Sequence, residues 1–255
     1  MNPSTDPLPA SIDVMGIPIA ATNLPAATES VLNLAESRHG GYICVTGAHG
    51  IIESRDDPAF ADILKNSLFN TPDGMPNVWM GRYFHGCQSM DRVYGPDLMD
   101  QVFAGSAQRN IRHFFYGGKE GVPEQLRDRL VEKYPGVQVV GTYSPPFRPL
   151  KESEEADLLT QIEACDPHVI WIGLSTPKQE KFMAAWTDRL PGRVMLGVGA
   201  AFDFHAGLVP SAPGKFQRAG LEWFYRLCTE PRRLWPRYSK IVPRFLWGSL
   251  RQITS

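Results

Sequence analysis

The sequence predicts an α/β fold: a Rossmann-like, mostly parallel sheet with helices on both faces, followed by a basic helical appendage at the carboxyl end. Three observations carry that prediction. Short β-branched or aromatic runs alternate with stretches of helical apolar spacing, the pattern of βαβ units. Glycine-bearing loops follow most of the strand-like runs. Beyond about residue 210 the strand periodicity stops, and basic residues alternate with aromatic ones.

Taken in order, residues 1–11 are polar and proline-rich and are expected to be disordered, with no secretory signal. Candidate strands are 12–19, 42–46, 111–116, 137–141, 168–173 and 193–198. Helical spacing marks 24–37, 58–67, 96–108, 121–134, 152–165 and 177–190. Three of these helices open on a proline, at Pro58, Pro96 and Pro177, which suits the first helical position. The organisation expected is a body over 12–210 and an appendage over 211–255. Pro236 is expected to interrupt the appendage.

Composition narrows the function. A chain of 255 residues with 43% hydrophobic and 21% charged content buries an ordinary core, which excludes a disordered or disulfide-stapled protein. Lys+Arg number 26 against 27 Asp+Glu, so no chain-wide field favours nucleic acid. The charge is unevenly placed. Residues 215–255 carry nine basic residues against two acidic ones, so the rest of the chain is acidic. Cys44, Cys87, Cys165 and Cys228 have neither CxxC nor metal-ligand spacing, which points to a reducing compartment and no structural zinc. No apolar run reaches the roughly 18 residues that a spanning helix needs, so any membrane contact is expected to be peripheral.

In an open parallel sheet, ligands bind beyond the carboxyl ends of the strands. The loops expected there hold Thr46 to Gly50, Asp73-Gly74, Gly117-Gly118, Gly173 to Glu180 and Gly197 to Asp203. Glycines and free helix-start N–H groups suit a phosphate, so a nucleotide or nucleotide-sugar is the natural guest. A dinucleotide cofactor fits less well. Gly197-Val198-Gly199 is followed by Phe202 where the fingerprint wants a small residue, and GxxxxGK[ST] is absent.

Asp73 precedes a helix-like run from Met75 to Phe84, so its carboxylate is expected to face the cleft and accept a proton from an attacking hydroxyl. A glycosidase would want a facing pair, and Asp203 is the second loop carboxylate. No Asp-x-Asp metal pair occurs, so helix N-termini and arginines, Arg92 foremost, would steady a departing diphosphate. Gln179 can donate to and accept from sugar hydroxyls. In the appendage, arginines mixed with Trp, Tyr and Leu suit an anionic membrane and a lipid-linked diphosphate. Packing of those aromatics on the body and stacking on RNA remain open.

These motifs together resemble the WecG/TagA/CpsF glycosyltransferase family (glycosyltransferase family 26). The carriers are Val45-Thr46-Gly47, Pro72 to Pro76, Arg92 to Met99, Tyr116 to Gly118, Gly173 to Lys181, Gly197 to Asp203, and Ala212 through Arg226 to Trp235. The resemblance implies an inverting, metal-independent transfer from a UDP-sugar to a polyprenyl-diphosphate-linked saccharide, without a cofactor, at the cytoplasmic face of the inner membrane. It makes Asp73 the base and sets Thr46, Arg92 and Gln179 around the sugar and diphosphate. Arg226 and Arg233, with Arg232 and Arg237 beside them, would hold the lipid diphosphate. Homo-oligomers occur in the family. Members that transfer N-acetylmannosamine have an Asn shortly after the threonine, where this chain has Gly47-Ala48-His49. The variants look more like the exopolysaccharide branch, with a plain hexose as a further donor. The competing reading is a Rossmann-type nucleotide-sugar oxidoreductase, and a third is a membrane-docked binding module.

Overall fold

The structure, a computed structural model, describes residues 8–209, 216, 222–229 and 231–254. Residues 1–7 of the expected disordered segment and the expected boundary near residue 210 lie outside the described residues.

The chain opens on a hairpin rather than the single strand expected over 12–19. β1 (Ser11–Val14) pairs antiparallel with β2 (Ile17–Ala20). Met15 and Gly16 both take positive φ, 53° and 88°, the geometry of a two-residue turn that follows strand twist. A methionine at the first turn position hides this turn from sequence reading.

Next come α1 (Leu24–Glu36), β3 (Gly41–Thr46), α2 (Ala48–Asp56), α3 (Pro58–Lys65) and β4 (Phe69–Pro72). Side-chain caps start two of the helices: Asn23 accepts from the Ala26 amide, and Asp57 from the Phe60 amide. Both α2 and β4 are additions to the expected elements. After β4 the chain forms α4 (Met75–Trp79), which continues as a π turn over Met80–Phe84. Then follow α5 (Gly95–Ser106), β5 (Arg112–Gly117), α6 (Val122–Lys133), β6 (Gln138–Tyr143), α7 (Glu152–Cys165) and β7 (Val169–Gly173). The body closes with α8 (Lys178–Trp186), β8 (Val194–Gly197) and α9 (Ala201–His205).

Six strands form one sheet in the order β4-β3-β8-β7-β5-β6, every pairing parallel. Alternate strand residues serve two cores. Ile43, Phe115, Trp171 and Leu196 pack with α1, α5, α6 and α9, while Tyr42, Phe114, Ile172 and Met195 pack with α3, α7 and α8. Helices therefore cover both faces, as the sequence predicts for a buried parallel sheet.

The appendage contributes α10 (Glu222–Thr229) and α11 (Pro231–Thr254). Pro236 does not interrupt it: α11 runs through both Pro236 and Pro243. Each proline removes a helical hydrogen bond. Packing offsets that loss, because Ile241 and Phe245 enter the second core. Arg244 and Lys240 both pair with Asp56 at the end of α2. Gln252 bonds the hairpin, accepting from the Met15 amide at 2.8 Å and donating to the Asp13 carbonyl at 2.9 Å. No helix among the described residues is long and apolar enough to cross a membrane.

Candidate functional site

Parallel register lines up the strand ends. Thr46 of β3 stands opposite Pro72 of β4, Cys44 opposite Gly197 of β8, and Gly117 of β5 opposite Gly173 of β7. The loops that leave these positions therefore share one edge of the sheet.

Asp73 is the residue after Pro72, and its amide donates to the Thr46 carbonyl at 3.1 Å. Its half-buried carboxylate lies against the β3 loop: a Cβ on Gly47 would come within 3.5 Å of Asp73 Oδ2. The loop segment carrying Arg92 is tied to the same place, since the Val93 amide donates to the Pro72 carbonyl at 3.0 Å. The Arg92 guanidinium sits 4.6 Å from the centre of the Tyr94 ring and 3.6 Å from Asp97 Oδ2. Three residues on, Gly95 starts α5 against Val198, beside the end of β8. The β3–β4 edge thus gathers Thr46, Asp73 and Arg92.

Buried amides hold that edge. Thr46 Oγ1 donates to Asn70 Oδ1 at 3.0 Å, and Asn70 Nδ2 donates to the carbonyls of Pro18 and Leu64. Asn77 Nδ2, on α4, donates to the Thr46 carbonyl at 2.8 Å. Thr46 itself is buried, so its hydroxyl is occupied as a donor inside the protein. Neither asparagine was singled out above. Asn70 carries no signal of this role in the sequence, because its poor β propensity hides the strand it stands in.

Gln179 and Glu180 occupy the first turn of α8, and both are buried. The Gln179 carboxamide lies against the β8 loop, with Nε2 3.0 Å from where a Gly197 Cβ would stand. Burial pushes the Glu180 carboxyl above the usual glutamate range. A first-turn Glu ordinarily reads as a solvated helix start, so its burial is not visible in the sequence.

Gly117 and Gly118 lie two strands from β8. Gly117 has φ 129°, and a Cβ there would fall 2.6 Å from the Gly173 carbonyl carbon, so only glycine lets β5 and β7 end this close together. The Gly118 amide donates to the Gly173 carbonyl at 3.1 Å. Between these strands the connections diverge: β5 leads outward to β6, and β7 leads back to β8. Such a reversal point is where a dinucleotide would lie. Phe202 fills it instead. Its buried ring covers Gly173, meets Phe115 edge-on at 5.6 Å and approaches Gly118.

Asp203, expected in a loop, stands in the first turn of α9, because the chain turns at Gly199 and becomes helical at once. Its backbone carbonyl accepts from the Leu208 and Val209 amides. Arg226 belongs to α10, and Arg232, Arg233 and Arg237 to α11. The Arg232 side chain is exposed, while those of Arg226, Arg233 and Arg237 lie outside the described residues. A groove of about 660 Å³ between the hairpin, α2, α3 and α11 involves none of the candidate residues.

The fold and this edge define a parallel α/β enzyme whose polar side chains gather at the strand ends, with the dinucleotide crevice closed by an aromatic ring. The family model described as "Glycosyl transferase WecG/TagA/CpsF family" matches residues 12–255, and the chain belongs to that family of glycosyltransferases. Two relatives share the name N-acetylglucosaminyldiphosphoundecaprenol N-acetyl-beta-D-mannosaminyltransferase. One, from Bacillus spizizenii, is 29% identical over 85% of this chain and 81% of its own length. The other, from Bacillus subtilis, is 30% identical over 80% of this chain and 76% of its own length.

Proposed function

We propose that the protein transfers a hexose or N-acetylhexosamine from a UDP-sugar to a polyprenyl-diphosphate-linked saccharide, with inversion and without a metal ion, in cell-surface polysaccharide synthesis. Asp73 removes the proton from the acceptor hydroxyl as that oxygen bonds to the anomeric carbon. The bond to UDP breaks on the opposite face of the sugar, and UDP carries away the electron pair. One carboxylate is enough for this step.

The observation that carries the reading is the Asp73 carboxylate lodged beside Gly47 where β3 and β4 end, with the loop that bears Arg92 fastened to the neighbouring residue. Arg92 and the helix-start amides steady the leaving diphosphate. Thr46 shapes this end of the cleft, Gln179 meets the donor, and Gly117-Gly118 and Asp203 border the nucleotide. Arg226, Arg232, Arg233 and Arg237 hold the diphosphate of the lipid, bidentately where the geometry allows. The names of the two Bacillus relatives supply the acceptor class, a saccharide on diphosphoundecaprenol. Gly47-Ala48-His49 widens the donor choice toward plain hexoses, as in exopolysaccharide synthesis.

We place the enzyme peripherally on the cytoplasmic face of the inner membrane. One side of α11 packs through Leu234, Ile241 and Phe245, while Trp235, Leu246, Trp247 and Leu250 are more than half exposed. With Arg232, Lys240 and Arg251 also exposed, α11 has the make-up of an interfacial helix on anionic lipid. Trp79, Tyr83 and Phe84 are exposed too, on the segment that follows the Asp73 loop.

The test is a donor screen on purified protein with a short-chain prenyl-diphosphate saccharide, reading UDP release with and without chelator. Release that depends on both substrates and survives chelation supports the proposal. A strict Mg²⁺ or Mn²⁺ requirement overturns the arginine-based account of the leaving group.

A further inference from the structure

Two neighbouring side chains on α8 keep polar ends inside the protein without satisfying them. Gln179 is 3% exposed and Glu180 2%. Glu180 Oε1 accepts two hydrogen bonds, from Thr176 Oγ1 at 2.8 Å and from Gln179 Nε2 at 3.0 Å. Glu180 Oε2 and Gln179 Oε1 have no hydrogen-bond partner among the described residues. A buried polar atom left in this state is costly, and a ligand that supplies the missing partner offsets the cost.

The contacts also fix which way round the Gln179 amide lies. A carboxyl oxygen that already accepts from Thr176 can bond only the NH₂ end of the amide, so that end belongs to Glu180. The carbonyl end is left facing the loop beyond β8, with Oε1 3.4 Å from where a Gly199 Cβ would stand. Gly197 and Gly199 leave the room that the amide occupies.

We propose that Glu180 is a positioning residue: by holding Nε2 of Gln179 it turns Oε1 toward the strand-end cleft as an acceptor, which selects an N–H or O–H group of the sugar nucleotide. The inference rests on the reading that Gln179 meets the donor. Burial favours the protonated carboxyl, and its proton belongs on Oε2, the oxygen without a partner. Glutamine has the same shape, with an acceptor at one position and N–H at the other, so it preserves the arrangement. An apolar side chain of similar volume does not.

Donor and acceptor kinetics of Q179A, E180Q, E180M and the Q179A/E180M double variant test this, with direct binding of UDP-sugar as a second readout. Loss of a buried partner weakens donor use by about 10- to 100-fold. Q179A and E180M each raise the donor KM by that factor and leave the acceptor KM unchanged. E180Q stays within about threefold of the wild type, and the double variant is no worse than Q179A, because the two residues act as one unit. Thr176→Val removes the other anchor of the carboxyl and shifts the donor KM in the same direction, a readout that holds even where E180M fails to fold. Independent effects in the double variant overturn the inference, and so does an E180Q as weak as E180M. A wild-type E180M beside a weak Q179A sinks the role of Glu180 alone. A wild-type donor KM in Q179A removes Gln179 from the donor site, and the inference falls with it.

Discussion

Replacing Gly173 with alanine puts a methyl group where the Phe202 ring already lies. The new Cβ would stand 2.4 Å from Phe202 Cδ2 and 2.6 Å from Cε2. Ordinary carbon contacts are ~3.5–4.0 Å, so one side must move. The ring has little freedom, because it is also buried against Phe115 and Gly118. Overpacking of a close-packed core costs about 1–3 kcal/mol, and this site belongs at the upper end. Phe202→Ala removes a fully buried ring, at about 3–5 kcal/mol. The two losses are not independent, since the methyl group of the first variant fits the space opened by the second. Thermal and urea unfolding of the four species measure the coupling. At about 2–4 °C per kcal/mol for a chain of this size, G173A lowers Tm by about 6–12 °C. The double variant melts no lower than F202A alone. Additive losses would refute the claim that Phe202 fills the crevice between β5 and β7, and with it the reason for setting aside a dinucleotide cofactor.

Other consequences follow from the same geometry. Burial drives the His113 imidazole down to about 3, and the Trp171 indole donates to its Nδ1 at 3.1 Å, so the folded ring stays neutral. The unfolded chain takes up that proton near pH 6.5. Stability from His113 is therefore complete above that pH and falls by about 1.4 kcal/mol per unit of acidification between pH 6.5 and about 3. A His113 ring that titrates near 6.5 in the native-state NMR spectrum contradicts this. Glutamates at Leu246, Trp247 and Leu250 abolish flotation with anionic vesicles and leave UDP binding intact, because these side chains are exposed rather than packed. Equal flotation of wild type and triple variant would remove α11 from the membrane contact. Asn77→Ala removes one of the two donors to the Thr46 carbonyl and leaves the Asp73 amide as the other, costing about 0.5–1.5 kcal/mol and lowering transfer. Wild-type urea stability and rate in that variant would show that the β3–β4 edge needs no such brace.

Much of this architecture was legible in the chain. The body strands, most helices and the strand-end loops follow from alternating apolar runs and the glycines after them, because a parallel sheet buried on both faces tolerates little else. The misses have local causes. Phe69-Asn70-Thr71-Pro72 does not look like a strand, since Asn and Pro are poor strand residues; they stand there because Asn70 ties the hairpin and the α3 end to Thr46. The α2 segment contains His49 and Gly50 and shows little amphipathic spacing, so only its place between β3 and Asp57 makes it a helix. Pro236 reads as a break in the sequence, yet burial of Ile241 and Phe245 carries α11 past it and past Pro243. At the site, the sequence could bring Thr46, Asp73, Arg92 and Gln179 forward as loop or helix-start residues. It could not show that Thr46 is buried, that Glu180 turns inward, or that Phe202 closes the crevice. Those depend on contacts between segments far apart in the chain.

The most direct measurement of the account is the transfer rate of Asp73→Asn beside its affinity for the UDP-sugar. Asparagine keeps the shape at the β4 end and removes the proton acceptor, so binding stays at the wild-type level while transfer is lost. An Asp73→Asn enzyme that still turns over at the wild-type rate would contradict the role given to that carboxylate.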